Sequence, residues 1–229
     1  EIKVNPEQDL VVLPYSSGTT GHPKGVMLSH SNLVSNLYQF NELEPSGEED
    51  TLIAVLPFYH IYGMTVILNS ALSHGATVVC MSRFDLEQFL VLMQKHEVTR
   101  AHLVPPIVLA LAKHPMVEGY SFPKLKTIMS GAAPLGPELA EDCARRLGCT
   151  VKQGYGLTET SPVTHLNPEP PGRVVPGSIG ICIPNTECRI VDYETGKDLG
   201  NGMQGELWIR GPQVLSLIHI SEPTRHRYI

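Results

Sequence analysis

Short apolar runs alternate along the chain with segments of helical period. This alternation predicts an α/β architecture with a largely parallel sheet. Residues 10–15 read as a buried strand, residues 16–24 as a polar glycine-bearing loop, and residues 25–28 as a second short strand, so the loop tips a hairpin. Ser29 or Ser31 then caps a helix with Leu33, Leu37 and Phe40 on its apolar stripe and Val34 and Tyr38 beside them.

The same logic repeats downstream. Strands are expected over 52–56, 76–81, 101–104, 127–130 and 150–153, and helices over 61–73, 107–113 and 138–147. Another amphipathic helix starts at Asp85, with Gln88 as its capping-box partner. Gly75 and Gly148 stand where helices end. The run at 150–153 is expected to enter a glycine turn. After Pro162, glycines and prolines increase. Residues 187–191 and 205–210 read as a hairpin joined through Thr195-Gly196 and Asn201-Gly202, a β-rich segment beside the α/β part.

Composition narrows the class. The chain has 229 residues and is 42% hydrophobic, enough for one sizeable core. A formal net charge of -6 with no long basic run argues against a nucleic-acid surface. Five cysteines, none spaced as CxxC, fit a reducing, intracellular compartment better than a disulfide scaffold. Ten histidines lack metal-ligand spacing, and no stretch is apolar enough to span a bilayer. His22, His30, His74, His96, His102, His114 and His165 carry no functional reading.

Candidate chemistry concentrates first in Tyr15-Ser16-Ser17-Gly18-Thr19-Thr20-Gly21-His22-Pro23-Lys24-Gly25. Phosphate oxygens accept from backbone N–H groups and hydroxyls and pair with a cation, and glycines let the backbone come close. The lysine is misplaced for a Walker loop, and a strand rather than a helix follows, so a clamp over the β- and γ-phosphates is the physical reading. Further on, a carboxylate at Glu159, after Thr158, can hold Mg²⁺ bridging phosphates. Tyr155 stands between two glycines, Gly154 and Gly156.

These strings resemble the adenylate-forming (AMP-binding) superfamily, most nearly its 4-coumarate–CoA ligase-like acyl-CoA synthetases. The first is similar to that family's phosphate loop. Leu56-Pro57-Phe58-Tyr59-His60-Ile61-Tyr62-Gly63, Ser130-Gly131-Ala132-Ala133-Pro134-Leu135-Gly136, Gln153-Gly154-Tyr155-Gly156-Leu157-Thr158-Glu159 and Gly205-Glu206-Leu207-Trp208-Ile209-Arg210-Gly211-Pro212 resemble later motifs in the same order. The resemblance implies the family's large N-terminal domain in part, over residues 1–214. It implies ATP, Mg²⁺ and a CoA co-substrate, and activation of a carboxylic acid as acyl-AMP before transfer to CoA.

The resemblance also implies roles. Ser16, Ser17, Gly18, Thr19, Thr20, Gly21 and Lys24 hold the phosphates. Thr158 donates to the α-phosphate and Glu159 holds Mg²⁺. Ala132, Ala133, Gln153, Gly154 and Tyr155 border the nucleotide, and Arg83 approaches the CoA nucleotide. His60 gates the acyl pocket near the reacting carboxylate. Tyr62, Thr65, Met129, Gly131, Gly156, Pro162, Val163 and Thr164 shape that pocket. Met129 and Thr65 depart from residues common in plant coumarate ligases, which puts a hydroxycinnamate preference in doubt. A luciferase-like oxygenase, a peptide-synthetase adenylation domain and an inactive nucleotide-binding module remain alternatives. The pocket stretch lacks the aspartate that peptide synthetases usually place there.

Residues 215–229 break from the family pattern. A Gly-Tyr segment and a ribose-holding aspartate are expected, whereas Leu215-Ser216-Leu217-Ile218-His219-Ile220 resembles a translated sequencing adapter. The tail is therefore expected to be non-native, and the small C-terminal domain with its lysine to be absent. The chain as given is expected to be an inactive, aggregation-prone piece of an enzyme that is cytoplasmic or peroxisomal.

Overall fold

A computed structural model describes residues 3–16, 23–168 and 174–215. The hairpin is present in two short ladders. β1 (Leu10–Val12) pairs with β4 (Leu28–Ser29), and β2 (Tyr15–Ser16) pairs with β3 (Lys24–Gly25). Burial differs from the expectation. Leu10, Val11, Leu13 and Tyr15 are exposed, because these two-strand ladders have no layer over their outer face among the described residues.

Ser29 is the residue that caps α1 (His30–Asn41), with Asn32 as its reciprocal partner. The main sheet has seven strands among the described residues, in the order β11-β10-β9-β8-β7-β5-β6. Its parallel part comprises β5 (Thr51–Ala54), β6 (Thr77–Cys80), β7 (Arg100–Leu103), β8 (Thr127–Ser130) and β9 (Thr150–Gly156). β9 runs straight through Gly154 and Gly156 instead of turning at Gln153. There it pairs antiparallel with β10 (Val163–Leu166), which pairs antiparallel with β11 (Ile181–Cys182). Neither of these last two strands is apparent in the sequence pattern.

Side chains alternate across a strand, so the sheet has two chemically distinct faces. Ile53, Ala101, Leu103, Ile128 and Val151 point into one apolar core. It is covered by α3 (Leu86–Lys95), α4 (Pro105–Lys113) and α5 (Pro137–Leu147), which supply Phe89, Leu90, Val108, Leu111 and Cys143. Pro105 and Pro106 begin α4, where their missing N–H groups cost nothing. On the other face lie α1, a π-helix (Tyr62–Asn69) and α2 (Ser70–Ser73). Gly75 ends this helical stretch at φ +74° and Gly148 ends α5 at φ +67°, as glycine permits. The hairpin of β12 (Glu187–Val191) and β13 (Glu206–Arg210) forms as expected.

Candidate active site

A cavity of about 510 Å³ opens at the carboxyl ends of the parallel strands, where α/β sheets bind ligands. Segments from four places converge on it. The hairpin supplies Tyr15 and Ser16, and the turn after β5 supplies His60, Ile61 and Tyr62. The end of β8 supplies Met129, Gly131 and Ala132. The end of β9 and the loop beyond it supply Gly154, Tyr155, Gly156, Leu157, Thr158, Glu159, Pro162 and Val163.

Local chemistry fixes each segment. The Tyr62 hydroxyl donates to Met129 O at 3.3 Å, and its ring lies so close to Gly131 that a β-carbon there would sit 2.9 Å from Cε1. Only glycine fits at that position. Ala132 takes φ +69°, an unusual value for a residue with a side chain and a form of strain found at functional turns. At Gly156 a β-carbon would meet Pro162 O at 2.0 Å, so β9 and β10 approach as only glycine allows.

The loop at 157–162 is rigidly held. Thr160 Oγ1 accepts from Leu157 N–H at 3.0 Å and donates to Pro162 O at 2.5 Å. Ser161, wholly buried at φ +69° before a cis proline, donates from Oγ to Gln213 O at 2.9 Å. Thr158 and Glu159 form a short 3₁₀ turn inside this frame and face the cavity. Leu215 N–H donates to Glu159 O at 2.9 Å, and the Leu215 side chain joins the cluster of Val26, Leu28, Leu33 and Ile61.

The cavity floor is apolar. Phe40, Val66, Met129, Val163 and Leu166 form one buried cluster with Tyr62 against it. Below lies His102, whose ring meets that of Tyr62 edge-on at 6.1 Å. Burial, then the Arg100 and Lys152 charges, push His102 down to about 3, so it is neutral at physiological pH. Burial, then the Glu44 charge, raises Tyr62, which keeps its proton. At the cavity mouth, His60 Nδ1 accepts Tyr62 N–H at 3.2 Å, so the neutral ring carries its proton on Nε2. Desolvation lowers its affinity for a second proton.

Several expected site residues sit elsewhere. Gln153 is buried and binds the backbone of Leu135 through both ends of its amide, at 2.9 and 3.0 Å, so it shapes the loop after β8 and does not line the cavity. Thr65 is buried behind Val66, which takes the lining position because the π-helix turns Thr65 away. Thr164 is fully buried on β10, and Ala133 is exposed outside the cavity. Arg83 is exposed and away from it. Lys24 is exposed and pairs across the hairpin with cavity-lining Ser16. Ser17, Gly18, Thr19, Thr20 and Gly21 lie outside the described residues.

Sequence reasoning missed the positioning residues of α1. Asn36 Nδ2 donates to Val163 O at 2.8 Å, and its Oδ1 accepts from Val163 N–H at 3.1 Å. Asn32 Nδ2 donates to Pro212 O and Val214 O, and Gln39 Nε2 to Pro184 O. Asn32, Asn36 and Gln39 fall on the helix stripe of Leu33 and Phe40, a periodicity that marks them as buried.

The model for the AMP-binding enzyme family matches residues 1–218. The chain belongs to that family. It is 45% identical over 224 residues to 4-coumarate–CoA ligase 1 of Solanum tuberosum and 42% identical over 218 residues to probable 4-coumarate–CoA ligase 1 of Dictyostelium discoideum. These alignments cover 94% and 93% of this chain but 41% and 39% of the relatives, so the chain spans about two fifths of their length. Among solved structures, ATP-bound MatB from Rhodopseudomonas palustris superposes with a TM-score of 0.84 at 33% identity, covering 94% of this chain and 42% of that one. No described helix is long and apolar enough to cross a membrane.

Proposed function

We propose that the chain is part of an ATP-dependent acyl-CoA synthetase that activates an apolar, medium-sized or aryl carboxylic acid. The observation that carries this reading is the meeting of Tyr155, Thr158 and Glu159 with an apolar-floored pocket in one cavity. A nucleotide and an acyl group can there lie end to end. The names of its relatives, 4-coumarate–CoA ligases, support the same class of acid.

In this reading a carboxylate oxygen attacks the α-phosphorus of ATP, and the bond to pyrophosphate breaks. The sulphur of the CoA thiol then bonds to the acyl carbonyl carbon, AMP leaves, and the thiol proton passes to solvent. Tyr155 stacks on the base. Thr158 donates to the α-phosphate. Lys24, across the ladder from Ser16, offsets charge on the leaving phosphates. The donor set suits Mg²⁺, which is commonly held by one or two carboxylates together with substrate phosphates. Glu159 would hold that ion, which supplies Lewis-acid stabilisation of the phosphate charge. Arg83, on the surface, is the candidate contact to CoA.

The test is pyrophosphate exchange by the full-length enzyme with a panel of acids. Lys24→Ala and Glu159→Ala are each expected to slow adenylation about a hundredfold or more, the scale of losing a preorganised charge partner. Unchanged exchange in either variant overturns its assignment. Each added apolar contact should favour the larger acids by about 1–3 kcal/mol, and acetate as the most efficient substrate refutes the pocket reading. Residues 215–229 are proposed to be foreign to the enzyme, although Leu215 packs well. A genomic exon continuous across Val214 and Leu215 refutes that.

A further inference from the structure

Three soft ligands from three strands meet behind Tyr155. His165 lies on β10, Cys182 on β11 and Cys188 on β12. Their ligating atoms all lie within 4.8 Å of one another, and no carboxylate shares the group. The Cys182 and Cys188 sulphurs are 3.1 Å apart, and Cys182 Sγ is 3.3 Å from His165 Nε2. The spacing of these residues in sequence gives no hint of the cluster, since only the turn between the main sheet and the terminal hairpin brings Cys188 back onto Cys182.

The surrounding hydrogen bonds prepare the imidazole as a ligand. The Thr164 hydroxyl is 3.2 Å from Tyr155 O, to which it can only donate. The same oxygen is 3.0 Å from His165 Nδ1, and it therefore accepts the Nδ1 proton. That places the lone pair on Nε2, facing Cys182. A ligand histidine whose second nitrogen is held by an outer partner is how proteins orient metal-binding imidazoles. His165 is buried, Cys182 half-buried and Cys188 exposed, so metal can enter from solvent past Cys188.

We propose that His165, Cys182 and Cys188 form a binding site for a thiophilic divalent cation, zinc foremost, that staples the edge of the main sheet to the terminal hairpin. Two thiolates and one imidazole suit zinc, whereas hard ions prefer oxygen. Tetrahedral zinc with bonds of about 2.0–2.3 Å holds its ligand atoms about 3.6–3.8 Å apart. Cys182 Sγ stands within about 0.7 Å of that spacing from both Cys188 Sγ and His165 Nε2. Binding forms two metal–sulphur bonds and one metal–nitrogen bond. Both thiol protons pass to solvent, and water takes the fourth position. No oxidant is involved. The site is separate from the proposed Mg²⁺ position at Glu159, but it touches the strand that carries Tyr155. The rings of His165 and Tyr155 lie 6.2 Å apart.

The test uses the full-length enzyme that contains this chain, reduced with a phosphine and stripped of metal. Titration with Co²⁺ is expected to saturate at one equivalent, with a thiolate-to-cobalt charge-transfer band and the visible bands of tetrahedral cobalt. Zinc should displace the cobalt, raise the melting temperature and protect Cys182 and Cys188 from alkylation. The exposed Cys80 is the unprotected internal reference. Cys188→Ser alters an exposed position, so it should fold and lose the charge-transfer intensity of one thiolate. Thr164→Val keeps all three ligands and is expected to weaken binding about 10–100-fold, as loss of an outer-shell partner does. A reduced, folded chain that shows no charge-transfer band, or equal alkylation of Cys182 and Cys188 with and without zinc, overturns the proposal.

Discussion

The two faces of the central sheet are buried by different means. Toward α3, α4 and α5, β7 and β9 present Ala101, Leu103 and Val151, and the helices close over them with Phe89, Leu90 and Leu111. Toward α1 the same strands present Arg100, His102 and Lys152, all buried. Glu44, just past α1, pairs with both Arg100 and Lys152, and Asp50 pairs with Arg100 at 3.2 Å and with Lys126 at 2.8 Å. Burial alone would raise Asp50. Hydrogen bonds from Lys126 and Thr99 and the Arg100 charge outweigh it and hold the carboxyl below its usual range. The apolar face tolerates many arrangements of similar volume, whereas the polar face is correct only when every group finds its partner. The cavity opens over the polar face. Precise placement of the site therefore comes from the layer with the more demanding pairing.

The largest effects should come from one change on each face. Phe89→Ala removes a fully buried ring and is expected to cost about 3–5 kcal/mol. Arg100→Met leaves two buried carboxylates short of a partner and is expected to cost about 3–5 kcal/mol near neutral pH. The two losses should differ in pH dependence. Stripped of Arg100, Glu44 and Asp50 can relieve the defect by taking up protons, so the Arg100→Met deficit should shrink as pH falls through the carboxylate range. The Phe89→Ala deficit should not. Urea unfolding at several pH values reads this directly, and parallel deficits would remove the proposed contrast.

Next in size is Asn36. Asn36→Leu keeps the volume on α1 but leaves the buried N–H and C=O of Val163 without partners, at about 1–3 kcal/mol. Val163 lines the cavity, so nucleotide or acid affinity should weaken as well. Val108→Ala on the apolar face should lower stability while sparing affinity. Equal effects of both variants on affinity would mean that the two faces do not differ in their hold on the site.

The polar face should also set acid sensitivity. His102 accepts a proton near 6.5 when unfolded and only near 3 when folded. Between those values the unfolded state binds more protons, so stability falls as pH drops from about 6.5 toward 3, by about 1.4 kcal/mol per pH unit from this one group. His102→Phe, next to Tyr62 and Phe40, should flatten that slope. An unchanged slope would assign the sensitivity to other groups.

Much of the architecture was legible because its signals are local. β8 follows from its apolar run, α5 from its helical period and the stop at Gly148, and the β12–β13 hairpin from its turn residues. Tyr155, Thr158 and Glu159 were legible as a group because one contiguous motif carries them into one cavity. What escaped depends on distant partners. Arg-Ala-His-Leu on β7 looks half-polar, yet it is buried on both faces, since Glu44 and Asp50 arrive from the segment between α1 and β5. Gln153 sits in the right motif but binds the backbone of Leu135, eighteen positions upstream. β11 is two residues long and exists only because β10 is there to pair with it.

The smallest expected effect is the most discriminating about how the polar face begins. Ser29 caps α1 by accepting Asn32 N–H at 3.2 Å, and its own hydroxyl can donate to Asn32 Oδ1, 3.0 Å away. Asn32 Oδ1 also accepts Ser29 N–H, and its amide nitrogen reaches Pro212 O and Val214 O. Ser29→Ala should therefore cost about 1 kcal/mol, the usual worth of such a cap. In an isolated cap, aspartate serves as well as serine. Here an aspartate carries no proton for Asn32 Oδ1 and would set two acceptors against each other in a buried site. Ser29→Asp is thus expected to be no better than Ser29→Ala, and to loosen the segment at 212–214 in hydrogen exchange. Full rescue by aspartate would show the cap to be a local helix signal, with no part in tying α1 to the rest of the polar face.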